Sequence, residues 1–328
     1  MSLERLSVVF LISALGCLLV GRLAIRGLLA MRWVQPIRYE DCPSLVPYQQ
    51  TKQGTPTMGG LLVLGIAIVV AMVCGGVAHP EGRLVVAAAV SVGFLGFIDD
   101  LLKLNSPNAR GLRYMPKLLA ALGIGAIIGW LLADPAAGYR QAVVPWFGAR
   151  MELGWLWIPY VSVVIAGCAH AVNLTDGMDG LAVGCLALAF GVLGLLALTA
   201  FDNRLVAIWC ASLAGSTVGF LWFNASPASV FLGDVGALGL GAALGVLALL
   251  THATLGLVIV GGIFVAEAVS VILQVASYRW RNQRRIFRVA PLHHHFQLGG
   301  VAEHKLVVRF WIVGLLLAAL TLTAFASS

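Results

Sequence analysis

Residues 181–200, LAVGCLALAFGVLGLLALTA, contain no charged side chain and are apolar at almost every position. About 20 mostly apolar residues are enough for an α-helix to cross the ~30 Å hydrocarbon layer of a bilayer. Similar runs recur along the chain, which is 60% hydrophobic and only 11% charged, whereas a soluble domain has about 25% charged residues. The sequence therefore predicts an all-α polytopic membrane protein and excludes a water-soluble globule or a disordered chain.

The other apolar runs predict about ten transmembrane helices in a single integral-membrane domain over residues 1–328. The predicted spans, in chain order, are 5–22, 59–78, 84–98, 118–133, 156–173, 181–200, 205–223, 237–250, 255–277 and 306–325. The cysteines lack the CxxC or Cys/His spacing of a zinc site, so we interpret them as small hydrophobic residues.

Lysine and arginine predict the orientation, because cytoplasmic loops carry an excess of both. With ten spans, the odd-numbered connections share one side, and the even-numbered connections share the other side with both termini. The odd side carries sixteen basic residues: Arg22, Arg26, Arg32, Arg38, Lys52, Lys103, Arg110, Arg113, Lys117, Arg279, Arg281, Arg284, Arg285, Arg288, Lys305 and Arg309. The even side carries five: Arg5, Arg83, Arg140, Arg150 and Arg204. We therefore predict cytoplasmic odd connections, both termini on the outer (periplasmic) side, and no nucleic-acid partner despite the net charge of +7.

Five aspartates fall at or near the ends of predicted spans on that cytoplasmic side: Asp99, Asp100, Asp176, Asp179 and Asp234. Ionisable groups at such depth cost several kcal/mol unless they are paired or hydrated, so they are candidates for function. The alternatives are a solvated helix end for the Asp99–Asp100 pair and a helix cap for Asp234 or for one of the other two.

The same side combines these carboxylates with Lys52, Lys117 and three consecutive histidines, His293–His295. Hard oxygen ligands favour Mg²⁺ or Mn²⁺ over zinc, and we interpret the histidines as hydrogen-bond donors to phosphate. This inventory suits phosphoryl transfer between a soluble and a membrane-embedded substrate. Glu267, alone inside the ninth span, is expected to meet a neighbouring helix, and a role in the site is the less favoured alternative.

A secondary transporter is the alternative from a different functional class. It would carry charges near mid-span and inverted repeats between its halves. Here the aspartates cluster at one face, and no clear internal repeat is visible, so the sequence favours an enzyme.

Five short motifs resemble those of a known family in content, order and spacing. They are GTPTMGG at 54–60, FIDD at 97–100, NLTDGMDGLA at 173–182, FLGD at 231–234 and APLHHHF at 290–296. Together they resemble the bacterial phospho-N-acetylmuramoyl-pentapeptide transferases, within the polyprenyl-phosphate N-acetylhexosamine-1-phosphate transferases. The resemblance extends over almost the whole predicted cytoplasmic face.

The resemblance implies a ten-span homodimer in the bacterial inner (cytoplasmic) membrane, dependent on Mg²⁺, with its active site facing the cytoplasm. It implies UDP-N-acetylmuramoyl-pentapeptide and undecaprenyl phosphate as substrates, and lipid I and UMP as products. The close rival is transfer of N-acetylglucosamine-1-phosphate to the same lipid. The triple histidine, followed by VVRFW at 307–311, favours the muramyl-pentapeptide branch.

The resemblance also implies roles for individual residues. Asp99 resembles the family's proposed base acting on the lipid phosphate, Asp100 its neighbour in the site, and Asp234 the magnesium ligand. His293 joins these three in the expected catalytic set. The expected substrate-binding residues are Lys52, Thr57, Lys117, Asn173, Asp176, Asp179, Asn224, Phe231, His294 and His295. Of these, Lys52, Asp179, Asn224 and Phe231 match positions associated with uracil and nucleoside recognition.

Two mechanisms remain open at this point. A phosphate monoester has its second pKa near ~6, so the lipid phosphate is already largely dianionic at neutral pH and Asp99 need not abstract a proton. We therefore prefer direct attack by the lipid phosphate on the sugar-linked phosphorus. The alternative is two displacements through an aspartyl-phosphate.

Overall fold

The computed structural model describes residues 3–34, 48, 50, 52–104, 111–134 and 138–326. Arg38 and Arg110, which entered the charge count, lie outside these residues. The α-helices are α1 (Leu3–Ala30), α2 (Gly60–Val73), α3 (Pro80–Leu104), α4 (Tyr114–Leu131), α5 (Trp157–Thr175), α6 (Leu181–Thr199), α7 (Arg204–Asn224), α8 (Gly233–Leu250), α9 (Thr254–Val260), α10 (Gly262–Trp280), α11 (Leu292–Gln297) and α12 (Glu303–Ala326). The described strands, β1 (Gln141–Val143) and β2 (Arg150–Glu152), pair antiparallel with Ala142 opposite Met151.

The prediction of an all-α polytopic membrane protein is confirmed. Within the described residues, nine helices are long and apolar enough to cross a membrane, and α2 is a shorter apolar helix of 14 residues. The predicted span 59–78 therefore corresponds to a helix that ends early, at Val73. The bundle also presents large apolar side chains outward, for example Leu19 at 80% and Trp130 at 68% exposure. Such a surface suits lipid rather than water.

Other predicted spans also have different boundaries in the structure; the third, predicted at 84–98, extends over Pro80–Leu104. The first, predicted at 5–22, extends over Leu3–Ala30, so its basic residues Arg22 and Arg26 lie within α1. The ninth, predicted at 255–277, is broken between α9 and α10. The break falls at the pair Gly261–Gly262, where two consecutive glycines weaken helical propensity.

Helix α8 lies at the centre of the bundle. Every residue from Val235 to Leu250 is buried, and α8 contacts α2, α3 and α5. Glycine allows these close approaches: a Cβ on Gly60 of α2 would overlap the backbone of Gly236, and a Cβ on Gly241 would lie 2.6 Å from the Cα of Ala169 in α5. Membrane helices associate mainly through such close packing, because moving an apolar face out of lipid gains little free energy.

The helix ends near the predicted polar motifs gather at one end of the bundle. Helices α3, α5 and α7 end there, and α4, α6, α8 and α12 begin there, as shown by side-chain contacts that join these ends. The β1–β2 hairpin lies at the opposite end, where Val143 donates its N–H to the carbonyl of His252 and Trp146 donates to that of Ala324. The polar motifs thus share one end of the fold, while the side of the membrane that this end faces remains a prediction.

Candidate active site

Three carboxylates from two distant parts of the chain form an acidic cluster. Asp99 and Asp100 lie in the last part of α3, and Asp234 lies in the first turn of α8. One ligand oxygen from each lies within 4.8 Å of the others. Asp99 and Asp100 are almost completely buried, with 1% and 4% exposure, and Asp234 is half-buried. Three carboxylates this close require compensating positive charge.

Two lysines supply part of that charge. The Lys103 ammonium lies 2.5 Å from Asp99, 3.1 Å from Asp234 and 3.8 Å from Asp100. Lys117, from the first turn of α4, lies 2.8 Å from Asp234 and 3.5 Å from Asp99. If all three acids are ionised, two ammonium groups against three carboxylates leave one negative charge uncompensated. In that state the cluster still attracts a cation.

Asp99 and Asp100 are adjacent in sequence but hold different partners, since successive helical residues diverge by about 100°. Asp99 accepts the backbone N–H of Leu112 at 2.5 Å and faces both lysines. Asp100 accepts the N–H of Val235 at 3.1 Å, so its negative charge lies at the N-terminus of α8, where the helix dipole favours it. Asp100 thereby fixes the start of α8, whose second residue is Asp234.

Glycines make the approach of α3 to α8 possible. Gly233 has a φ of +75°, and a Cβ there would lie 2.8 Å from the Asp100 carboxylate and 3.0 Å from the Thr57 hydroxyl. A Cβ on Gly96 would overlap the backbone carbonyl of Asp234. The Gly in FLGD and the Gly one turn before Asp100 are therefore required by the geometry of the cluster.

The cluster fits a divalent cation by its chemistry. Its ligands are carboxylate oxygens, which Mg²⁺ and Mn²⁺ prefer, and the described residues bring no cysteine or histidine into it. Neither Asp234 nor Asp179 caps a helix: α8 and α6 have Leu232 and Gly180 at their N-cap positions, with no side-chain cap hydrogen bond. The cap alternative raised for these aspartates is therefore wrong.

A second charged group lies beside the first, where α12 meets the turn before α6. The Lys52 ammonium lies 2.7 Å from Asp179 and 2.5 Å from Glu303. Asp179 also accepts the N–H of Ala228 at 3.0 Å and donates its own N–H to Glu303 at 2.9 Å. Burial lowers the pKa of Lys52, but the carboxylates of Glu303 and Asp179 outweigh it, so the pKa lies above its usual value. Lys52 is therefore a fixed positive charge.

Asp176 and Asn173 lie between the two charged groups, at the C-terminal end of α5. Burial, together with the negative charges of Asp234 and Asp100, raises the pKa of the Asp176 carboxyl to about 8. Asp176 is the C-cap residue of α5, and Asn173 is half-buried in its last turn. A carboxyl that is protonated near neutral pH can donate a hydrogen bond to a phosphate oxygen.

The three consecutive histidines have three different environments. His293 is completely buried against Glu267 of α10, with its Nδ1 3.1 Å from the Glu267 carboxylate. His294 lies 3.0 Å from the Gln297 side chain, and burial together with His293 lowers its pKa to about 4. His295 accepts the N–H of Arg288 and packs against Phe287, so the structure directs it toward the basic segment rather than toward the acidic cluster.

Three other candidate residues hold the backbone around the site. Asn224 accepts the N–H of Gly180 at 3.1 Å and donates to the carbonyl of Val230 at 2.9 Å, so both polar ends of its buried side chain bind backbone groups. Phe231 exchanges backbone hydrogen bonds with Pro56 and Gly59, and Thr57 donates its N–H to Trp33. These contacts connect GTPTMGG to FLGD.

One residue in these contacts, Glu303, was not recognised from the sequence. Glu303 is the second carboxylate that contacts Lys52. In the sequence it was visible only as an acidic residue near the start of the last predicted span. Glu267 was expected to meet a neighbouring helix, and it contacts the short helix α11 at His293. Lys103, which entered the sequence analysis only in the count of basic residues, contacts all three members of the acidic cluster.

Replacing Lys52 by Met should leave Asp179 and Glu303 as two unpaired, partly buried carboxylates. We expect a loss of about 2 kcal/mol of stability, below the range for fully buried pairs because Lys52 is partly exposed, and a lower Tm in detergent. In a Glu303→Gln background the same change should cost less, because one of the two repelling charges is gone. Lys305→Met, at an exposed position in α12, the helix that contains Glu303, is the control. Equal losses in both backgrounds would contradict the pairing.

Comparisons with known proteins agree on one family. A family model described as glycosyl transferase family 4 matches residues 83–252, and a phospho-N-acetylmuramoyl-pentapeptide-transferase signature matches residues 52–64. A protein of that name from Geobacter sp. (strain M21) is 42% identical over 320 residues, covering 93% of this chain and 88% of its own length. Relatives of the same name from Nitratidesulfovibrio vulgaris and Pelobacter propionicus are 40% and 39% identical, covering 89% and 94% of this chain and 86% and 89% of their own lengths.

Proposed function

This chain belongs to the family of phospho-N-acetylmuramoyl-pentapeptide transferases, and we propose that the acidic cluster and its lysines are the centre at which it transfers the phosphosugar. The chain is a multi-pass membrane enzyme that forms lipid I in peptidoglycan synthesis. Its substrates in this proposal are UDP-N-acetylmuramoyl-pentapeptide and undecaprenyl phosphate, and UMP is released. The observation that carries the proposal is the convergence of three carboxylates and two lysines from α3, α4 and α8.

Asp234 is the proposed principal ligand of a Mg²⁺ ion, with Asp99 and Asp100 beside it. When bound, Mg²⁺ would neutralise charge on the diphosphate of the nucleotide, which phosphoryl transfer requires more than covalent assistance. Lys103 now occupies the space among the three carboxylates, and its side chain is 21% exposed. Its long flexible side chain is therefore the group that would give way to a cation.

Lys117, which contacts Asp234 and Asp99 alongside Lys103, is proposed to hold phosphate oxygens in line for reaction. Asp99 is already engaged by both ammonium groups and by the Leu112 N–H, which supports a role in orienting these groups rather than in taking a proton. The lipid phosphate is largely dianionic at neutral pH and can attack without a base.

The proposed reaction is a single displacement. An oxygen of the lipid phosphate forms a bond to the sugar-linked phosphorus, the bond from that phosphorus to the bridging oxygen of UMP breaks, and UMP leaves with the electron pair. Asp176, whose pKa is raised to about 8, supplies a hydrogen bond to the phosphates between the two charged groups. Trapping a labelled phospho-enzyme in the absence of lipid acceptor would overturn this mechanism in favour of an aspartyl-phosphate.

The nucleoside end of the substrate is proposed to bind beside Lys52 and Asp179. Their side chains are held by Glu303 and by the backbone of Ala228, so they form a rigid polar wall next to the acidic cluster. Asn224 and Phe231 support this wall through the backbone. His293 and His294 approach it from α11, around Gly177.

We place the site at the cytoplasmic face of the bacterial inner membrane, with both termini outside, because sixteen of the basic residues fall on the predicted odd-numbered side of the chain, the side on which the site motifs lie. A cysteine introduced at Arg113 should resist a membrane-impermeant maleimide in intact spheroplasts, whereas one at Trp155 should react. The opposite pattern would invert the topology. The homodimer is likewise a proposal, and a monomeric mass by light scattering of the detergent-solubilised protein would exclude it.

The direct test of the function supplies purified protein in detergent with undecaprenyl phosphate, Mg²⁺ and one of two nucleotides. We expect UDP-N-acetylmuramoyl-pentapeptide to yield lipid I and UMP, both measured by mass spectrometry, and UDP-N-acetylglucosamine to yield no lipid product. A lipid product from the glucosamine nucleotide alone would overturn the choice of substrate.

A further inference from the structure

Glu267 is an ionisable residue completely buried in α10, a helix long and apolar enough to cross a membrane. A buried charge in such a helix costs several kcal/mol unless specific partners compensate it, so its partners indicate its role. Both carboxylate oxygens of Glu267 contact His293. They lie 3.1 and 3.3 Å from the His293 backbone nitrogen, which donates to them, and one lies 3.1 Å from the ring Nδ1.

The backbone contact alone would make Glu267 a structural anchor for α11. The contact with the ring adds a second role, since a carboxylate beside Nδ1 stabilises the imidazole tautomer that carries its proton on Nδ1. In this state the ring is close to Glu267 but not aligned for a straight hydrogen bond. Hydrogen bonds of functional groups are often poorly aligned before substrate binds and tighten afterwards.

The opposite ring nitrogen faces the proposed cleft. Nε2 of His293 is buried and has no hydrogen-bond partner among the described residues. It points at Gly177, next to Asp176, where a Cβ would collide with it. A buried, unpartnered nitrogen costs free energy unless a ligand satisfies it. One ring nitrogen thus lies beside the Glu267 carboxylate, and the other is unpartnered and lies at Gly177, next to Asp176.

We propose that Glu267 is a positioning residue that fixes the orientation and tautomer of His293, with the proton on Nδ1, so that the unprotonated Nε2 is presented as a hydrogen-bond acceptor to a hydroxyl or amide N–H of the phosphosugar substrate. This proposal rests on the proposed function of the site. It assigns to Glu267 the role that a carboxylate plays behind a functional histidine in other enzymes, where it orients the ring without touching the substrate.

Glu267→Gln separates the two roles of Glu267. Glutamine keeps an oxygen that can accept the His293 backbone N–H, so the fold is retained, but its amide carries no charge to hold a proton on Nδ1. We expect kcat to fall about 10- to 100-fold with little change in KM, the range for an outer partner of a functional histidine. Glu81→Gln, at the opposite end of the bundle beside Tyr139, is the matched control and should retain full activity.

A double-mutant cycle distinguishes positioning from a general structural effect. If Glu267 acts through His293, Glu267→Gln should cost nothing further in a His293→Asn background. A loss of equal size in both backgrounds, or full activity of Glu267→Gln, would overturn the proposal.

A second measurement does not depend on any Glu267 variant folding. In ¹⁵N-histidine-labelled protein, the His293 signals, identified by their disappearance in His293→Asn, should show a proton on Nδ1. A neutral ring protonated on Nε2 alone would overturn the proposal. This readout needs no turnover: protein that forms no lipid I while its His293 carries the Nδ1 proton would refute the proposed function and leave the pairing intact.

Discussion

Asp234→Asn is expected to lower kcat by about 10³-fold, the upper range for removing one electrostatic contact from a reaction centre. Asparagine has nearly the same shape, but it lacks the charge that pairs with Lys117 at 2.8 Å and Lys103 at 3.1 Å and that would hold the cation. The measurement is the rate of lipid I formation over a range of Mg²⁺ concentrations. We expect the loss to persist at saturating Mg²⁺.

The control for this prediction is Asp202→Asn. Asp202 is highly exposed in the connection before α7 and pairs loosely with Arg204, so the same chemical change there should leave the rate unchanged. Undiminished activity of Asp234→Asn would remove Asp234 from the proposed reaction centre.

Gly96→Ala is expected to lower kcat by about 10²-fold while leaving the protein membrane-inserted. The new methyl group would overlap the Asp234 carbonyl and lie 2.6 Å from the Val235 nitrogen that Asp100 binds, so α8 must move away from α3. A displacement of about 1 Å in a catalytic group is enough for a loss of this size. Overpacking should also cost about 1–3 kcal/mol of stability, which is measured as a lower Tm.

Gly123→Ala adds the same methyl group to α4, where nothing lies within 4 Å of the new carbon. We expect this control to keep both its rate and its Tm. If Gly96→Ala behaved like Gly123→Ala, the close contact between α3 and α8 would not determine the geometry of the site.

Much of the fold was predictable because the membrane simplifies the pattern. A run such as 181–200 has to form a helix, since a bilayer offers no partner for free backbone groups. The helix boundaries were harder to predict, because the length of an apolar run does not show at which residue a helix ends. Helix α2 ends at Val73 within a predicted span, and the Gly261–Gly262 pair breaks another.

The site was predictable in composition but not in its pairings. The sequence motifs identified the carboxylates. The structure brings Asp99 and Asp234 together, although they are 135 positions apart in the sequence. The partners of the buried charges depend on how helices pack, which local patterns do not encode. Glu303 against Lys52 and Glu267 against His293 therefore became visible only in the fold.

Position in a motif also did not reveal what each side chain binds. Asn224 was expected in nucleoside recognition, but its amide is occupied by backbone groups of Gly180 and Val230. His295 was expected at the substrate and instead binds the Arg288 backbone. For both residues, a role in substrate binding remains a prediction.

The most direct test of the account is the location of a bound divalent cation. Crystals of the protein grown with Mn²⁺, which resembles Mg²⁺ in its preference for oxygen ligands, can locate the ion by anomalous scattering. We predict a single strong peak among the carboxylates of Asp99, Asp100 and Asp234, with the Lys103 ammonium displaced from its present position. A peak elsewhere, with these three carboxylates still bridged by Lys103, would contradict the account.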